Sequence, residues 1–141
     1  MARLTAAMLC DFAQVRENLL FVSSAGISRL YHPSAPVRPN LFVAGIVEVG
    51  PAEFDQTHEL RVRVRSPELA NEVGEAVIAM QPTEVSPGMK PGEAATLPFA
   101  LPLAALELPS FGPYDISVSV DDEPSVLLTL YVEQLPTAIE H

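Results

Sequence analysis

Residues 114–132 read YDISVSVDDEPSVLLTLYV. Tyr114, Ile116, Val118 and Val120 alternate with Asp115, Ser117 and Ser119. That is the period-two pattern of a strand with one face in a core and one in water. The acidic, proline-bearing DDEPS that follows cannot continue the strand, and VLLTLYV starts a second one. The stretch predicts a β-hairpin at the C-terminal end of a sheet. The same alternation recurs at residues 59–65, ELRVRVR, where Leu60, Val62 and Val64 face a core and Arg61, Arg63 and Arg65 face out.

Working outward, residues 41–49 (LFVAGIVEV) are apolar on both faces and fit a central strand. EAVIAMQ (75–81) is another strand. Residues 95–108 hold one or two more, which Pro98 and Pro102 confine to an edge or a bulge. LTAAMLC, NLLFVSS and ISRLYH supply three N-terminal strands, with Gly26 at the turn between the last two. Helix is minor: one turn in SPELANEV with Ser66 as N-cap and Pro67 at N1, and one in DFAQVREN capped by Asp11. About eight to ten short strands point to an all-β, antiparallel sandwich or barrel. The expected organisation is a single domain, with N-terminal strands over 1–38 forming a β-hairpin extension. The sandwich follows over 39–135 and a tail over 136–141. Residues 82–93 (PTEVSPGMKPGE) read as a surface loop.

Length, 141 residues, fits one domain, and 48% apolar with 18% charged residues fits a globular chain. The 14 prolines, against a usual share of about 5%, agree with many short elements separated by turns. A formal charge of −10 opposes binding to nucleic acid or an anionic membrane. One cysteine excludes an internal disulfide and favours the reducing cytoplasm. The apolar run from Leu4 to Cys10 is at the shortest end of a signal-peptide core and is ended by Asp11 and Arg16. No run approaches the roughly 18 apolar residues of a membrane helix.

The segment FGPYDISVSVDDEPSVLLTLYV resembles the last two strands of immunoglobulin-like sandwiches. Gly112 and Tyr114 match the Gly-x-Tyr that opens the penultimate strand there. The resemblance implies that the Tyr114 hydroxyl bonds back to nearby backbone. The tryptophan and disulfide of antibody domains are absent. The chain as a whole is similar to a domain-of-unknown-function family of small bacterial proteins. The matching pieces are residues 8–13 (MLCDFA), SSAGISRLY, THELRVRV and GPYDISVSVDDE. This second resemblance implies an immunoglobulin-like fold and no activity, and it gives Cys10 no particular chemistry.

Four features invite a chemical reading. Cys10 would need a base and an oxyanion site to act as a nucleophile, and nothing local supplies them, so a buried apolar thiol is expected. EFDQTHE offers Glu53, Asp55, His58 and Glu59 as ligands for a divalent ion, although His58 and Glu59 point to opposite faces of a strand. Asp121, Asp122 and Glu123 offer too few oxygens for calcium on their own. Arg61, Arg63 and Arg65 form a row with about 6.6 Å between neighbours. The row could hold a carboxylate- or phosphate-rich partner, or pair with acids on adjacent strands. His32 precedes Pro33, and His141 is terminal. No phosphate-binding glycine loop, serine elbow or zinc-protease motif occurs.

Two functions follow. The first is a non-enzymatic protein-interaction or assembly module without cofactor, its contact residues Arg61, Arg63 and Arg65. Its partner is a protein or a second copy of the chain, because residues 41–49 and 99–109 carry more apolar surface than a small sandwich hides. The alternative is a small-ligand- or metal-binding protein or hydrolase using the His58 and acidic-loop region.

Overall fold

The computed structural model describes residues 2–82, 88–123 and 126–136. Parts of the 82–93 loop, of the DDEPS turn and of the C-terminal tail, with His141, lie outside the described residues. Nine strands form two sheets among the described residues. They are β1 (Ala2–Arg16), β2 (Leu19–Ala25), β3 (Arg29–His32), β4 (Phe42–Val49), β5 (His58–Ser66), β6 (Asn71–Met80), β7 (Ala95–Pro102), β8 (Gly112–Val120) and β9 (Val126–Gln134). One sheet has the order β2-β1-β4-β7 and the other β3-β9-β8-β5-β6. A short 3-10 turn, Pro51–Glu53, precedes β5.

The two inner faces meet in one apolar core. Val43, Val47 and Val49 of β4 and Phe99 of β7 oppose Leu60, Val62 and Val64 of β5 and Ile116, Val118 and Val120 of β8. These are the odd positions of β4 and the even positions of β5 and β8, so the alternation read from the sequence sets which face is buried. β7, with Pro98 and Pro102, is an edge strand, where the missing N–H groups disturb only one ladder.

Tyr114 is the largest fully buried side chain. Its hydroxyl donates to the Ser110 carbonyl at 2.7 Å and accepts the Ser110 N–H at 3.2 Å. The chain reaches it through Gly112, whose φ of +130° suits a residue without Cβ. This closes the corner into β8. Tyr114→Phe leaves both Ser110 backbone groups without their partner and is expected to cost about 1–3 kcal/mol. Urea unfolding followed by circular dichroism reads this directly, and a loss too small to resolve would show that the corner contributes nothing.

Four expectations need correction. The sandwich is not wholly antiparallel: β3 runs parallel to β9, from Arg29↔Tyr131 to His32↔Gln134. A parallel pair needs a long connection, and the intervening strands supply it. The N-terminal strands are not an extension beside the sandwich. β1 pairs with β4 from Ala2↔Val49 to Cys10↔Phe42, and β3 belongs to the other sheet. Residues 11–16 form strand rather than a helical turn. They pair with β2 around a two-residue turn at Glu17 and Asn18, both at positive φ, and Asp11 caps nothing. A six-residue helix is not self-sustaining, whereas the hairpin gives Phe12 to Arg16 each a partner. SPELANEV likewise forms a turn between β5 and β6, stopped by Ala70 at φ +52°. The expected Ser66 bond is nevertheless made, its hydroxyl accepting the Leu69 N–H at 3.2 Å.

The distal half of the β1–β2 hairpin doubles back. Pairing runs to Cys10↔Ala25, lapses at Asp11 and Ser24, and resumes at Phe12↔Ser23, with Ser24 at φ +56°. A straight continuation would carry Asn18 about 26 Å beyond Cys10. Instead its amide donates to the carbonyl of Thr96, which pairs with Glu48 at the opposite end of β4. The arm therefore lies on the outer face of its own sheet. A second apolar cluster forms beneath it, with Cys10, Ala13 and Ala44 buried and Leu20, Val22, Phe42 and Ala100 packed around them.

Candidate functional site

The arginine row lies on the outer face of β5, as its spacing predicts. Arg61 pairs with Glu75 at 3.3 Å and Glu59 at 3.7 Å, and Arg63 pairs with Glu75 at 3.0 Å and Glu72 at 3.7 Å. Arg65 lies beside Glu72 and Asp115 in register and makes no ion pair within 4 Å among the described residues. Four carboxylates thus attend three guanidinium groups. The positive field that an anionic partner would need is largely offset, while exposed pairs of this kind stabilise by only about 0–1 kcal/mol each. Arg63 and Arg65 border an open groove of about 480 Å³ shared with Asp115, Ser117 and Leu127.

Cys10 is fully buried under the arm, its thiol aimed at the Phe42 carbonyl at 3.6 Å. Burial, and secondly the charge of Asp11, raise its pKa and disfavour the thiolate. That is the setting of an inert, space-filling thiol.

A polar centre gathers where β5 begins. His58, the first residue of β5, is 1% exposed. Its Nδ1 lies 2.5 Å from Asp121 Oδ2 and 3.9 Å from Glu53 Oε2, and its Nε2 lies 3.1 Å from the Glu53 carbonyl oxygen. Three elements meet here: the 3-10 turn brings Glu53, β5 brings His58, and the turn leaving β8 brings Asp121. Asp121 is held firmly. Its N–H donates to the Glu59 carbonyl, its Oδ1 accepts the Glu59 N–H, and its φ is +50°. The carbonyl and the ionised carboxylates are acceptors only, so the surroundings favour a ring with a proton on both nitrogens. Burial, the largest single influence, pulls the His58 pKa down. The bonds to Asp121 and to the Glu53 carbonyl, with the charges of Asp121 and Glu53, more than offset it, and the pKa ends above its ordinary value.

Of the four ligands read in EFDQTHE, Glu53 and His58 come together. Asp55 is exposed and outside the cluster, and Glu59 faces the arginine row. Asp121, singled out in a different motif, completes the group.

The arm carries an apolar exposure that the sequence reading missed. Phe12, Leu19 and Phe21 are 48%, 59% and 45% exposed, with Val15 beside them. Phe12 packs edge-on against Phe42, and Arg16 lies over the ring of Phe21. The signal was in the sequence: apolar runs on either side of Glu17-Asn18, a pair able to take the positive φ of a two-residue turn.

These features define an all-β protein of two facing sheets with a doubled-back N-terminal arm and a buried histidine–carboxylate centre. The family model for a family of unknown function, DUF6941, matches residues 5–133, and the chain belongs to that family. No curated protein matches it. No helix among the described residues is long and apolar enough to cross a membrane.

Proposed function

We propose that this is a non-enzymatic assembly module of the bacterial cytoplasm, an immunoglobulin-like sandwich that pairs with a second copy of itself through β2. The fold assignment is supported by the strand order. β1-β4-β7 facing β9-β8-β5-β6 follows the A-B-E and G-F-C-C′ order of such domains, and Tyr114 makes their tyrosine corner.

The observation that carries the function is the contrast among the four sheet edges. β7 is blunted by Pro98 and Pro102, β6 carries Glu72 and Glu75, and β3 is four residues long with Arg29 and His32. β2, LLFVSSA, has neither charge nor proline over seven residues and, among the described residues, pairs with β1 alone. Exposed edges are ordinarily guarded by charge, proline or shortness, and an unguarded one is a template for another strand. A second copy suits it. Two chains of charge −10 repel wherever acids face each other, and the β2 seam opposes none. Pairing there would also cover Leu19 and Phe21.

Native mass spectrometry and light scattering at high micromolar concentration test this. The wild type is expected to be dimeric. Phe21→Lys with Ser23→Lys, which sets like charges across the seam, is expected to be monomeric with an unchanged melting temperature. A monomeric wild type, or a double variant that dimerises equally well, overturns the reading.

A further inference from the structure

We propose that Glu53, His58 and Asp121 form a binding site for a divalent transition metal of the zinc class. The argument begins with the ring. Its Nε2 faces the Glu53 carbonyl oxygen at 3.1 Å, a group that can only accept, so this nitrogen is committed as a donor. Histidine ligands of metals are held in this way, one ring N–H donating to a carbonyl or carboxylate while the other nitrogen presents its lone pair. In His58 that other nitrogen is Nδ1, and it points at two carboxylates from two different elements. With Nδ1 deprotonated, its lone pair and two carboxylates converge on one point, a donor set that a divalent cation can take in place of the proton shared with Asp121.

The distances suit a small ion. The three donor atoms lie within 4.8 Å of one another. Ligands about 2.1 Å from a tetrahedral ion stand about 3.4 Å apart. The Nδ1 separations of 2.5 Å to Asp121 and 3.9 Å to Glu53 bracket that value. Displacing the proton and opening the Asp121 contact by less than 1 Å reaches it. Asp121 can donate Oδ2 without losing its anchor, because Oδ1 is the atom that holds the Glu59 N–H. The donor set selects the ion. Imidazole with carboxylate suits zinc and its neighbours, whereas calcium wants six to eight oxygens and magnesium a near-octahedral set. Three protein ligands leave a fourth position to water.

The probe is Zn²⁺ alone, titrated calorimetrically into the EDTA-stripped full chain near neutral pH, with Ca²⁺ and Mg²⁺ in parallel. One Zn²⁺ per chain is expected, with no comparable heat from Ca²⁺ or Mg²⁺. Removing His58 risks the fold, so the decisive variant is Glu53→Gln. It keeps the backbone carbonyl that orients the ring, and it should weaken Zn²⁺ at least tenfold while the metal-free protein stays folded by circular dichroism. Asp121→Asn is the second variant, with the same expected loss. Imidazole ¹⁵N spectra should show the His58 Nδ1 losing its proton as Zn²⁺ is added while Nε2 keeps its own. The proposal is overturned if the folded wild type takes up no Zn²⁺ or prefers Ca²⁺. Uptake by both variants as tight as the wild type's overturns it too, since that places the ion at His32, His141 or elsewhere. So does a His58 ring that stays doubly protonated at saturation.

Discussion

His58→Ala is expected to cost the metal-free protein about 3 kcal/mol, and the loss should shrink as the pH rises. Breaking a buried ion pair from one side strands the other charge, typically at about 3–5 kcal/mol. The lower end applies here because Asp121 and Glu53 keep part of their side chains in water. The pH dependence follows from the raised pKa of His58. The folded state holds the ring proton more tightly than the unfolded chain does. The stabilisation is therefore complete below the unfolded value, about 6.5, and is lost as the pH climbs through the folded value above it. Urea unfolding of wild type and variant in EDTA, from slightly acid to clearly alkaline pH, gives the difference directly. The two should converge toward alkaline pH. A gap that stayed constant would mean that His58 contributes by packing and not by charge. Asp121→Asn should flatten the same profile, because the largest of the effects that raise the pKa goes with that carboxylate.

This centre also shows where sequence reading stops. EFDQTHE and DDE were each visible as chemistry, but 63 positions separate His58 from Asp121. Only the register of β5 on β8, with Leu60 opposite Val120, brings them together. Register between distant strands depends on which apolar faces bury each other, and no local pattern encodes it. By contrast, the alternation of β5 was fully legible, because a period of two is a property of neighbouring residues. Tyr114 and its glycine were legible for the same reason: a corner is built from five residues in a row. Residues 11–16 fell between these cases. Their composition allows a helical turn or a strand, and the decision lies with β2, which gives them a partner. The apolar residues on both faces of 41–49 suggest more surface than a small sandwich hides, and a partner to cover it. What the pattern did not reveal is that the chain covers part of it with its own arm, burying Ala44 and Cys10.

Gly45→Ala, a change of one methyl group, is expected to be at least as damaging. Gly45 lies in the middle of β4, between β1 and β7, paired with Ala7 and Phe99. The register of β1 shifts between Leu4 and Ala6, and the irregularity brings the Ala6 carbonyl over this residue. A Cβ at Gly45 would lie 2.2 Å from that oxygen and 2.7 Å from the Phe99 ring. Phenylalanine could turn aside at a packing cost, but the carbonyl cannot, because β1 is bonded to β4 on both sides of it. The sheet must open locally or the bulge must be lost. Losing it would shift every β1 side chain beyond it to the other face, taking Leu9 out of the core. Overpacking a core usually costs about 1–3 kcal/mol, and a clash with paired backbone belongs at or above the top of that range. Gly74→Ala is the internal control. Its Cβ would meet Leu106 Cδ1 at 2.4 Å, which is nominally as severe, but that atom is the end of a side chain that can rotate. Its cost should be about 1 kcal/mol, the ordinary toll of a repacked leucine. Comparing the two by urea unfolding separates a backbone constraint from a side-chain one. If Gly45→Ala proves as mild as Gly74→Ala, β1 can move off β4 without loss. The arm that β1 carries over the sheet would then be held by the cluster around Cys10, Ala13 and Ala44, not by the register of the strand beneath it.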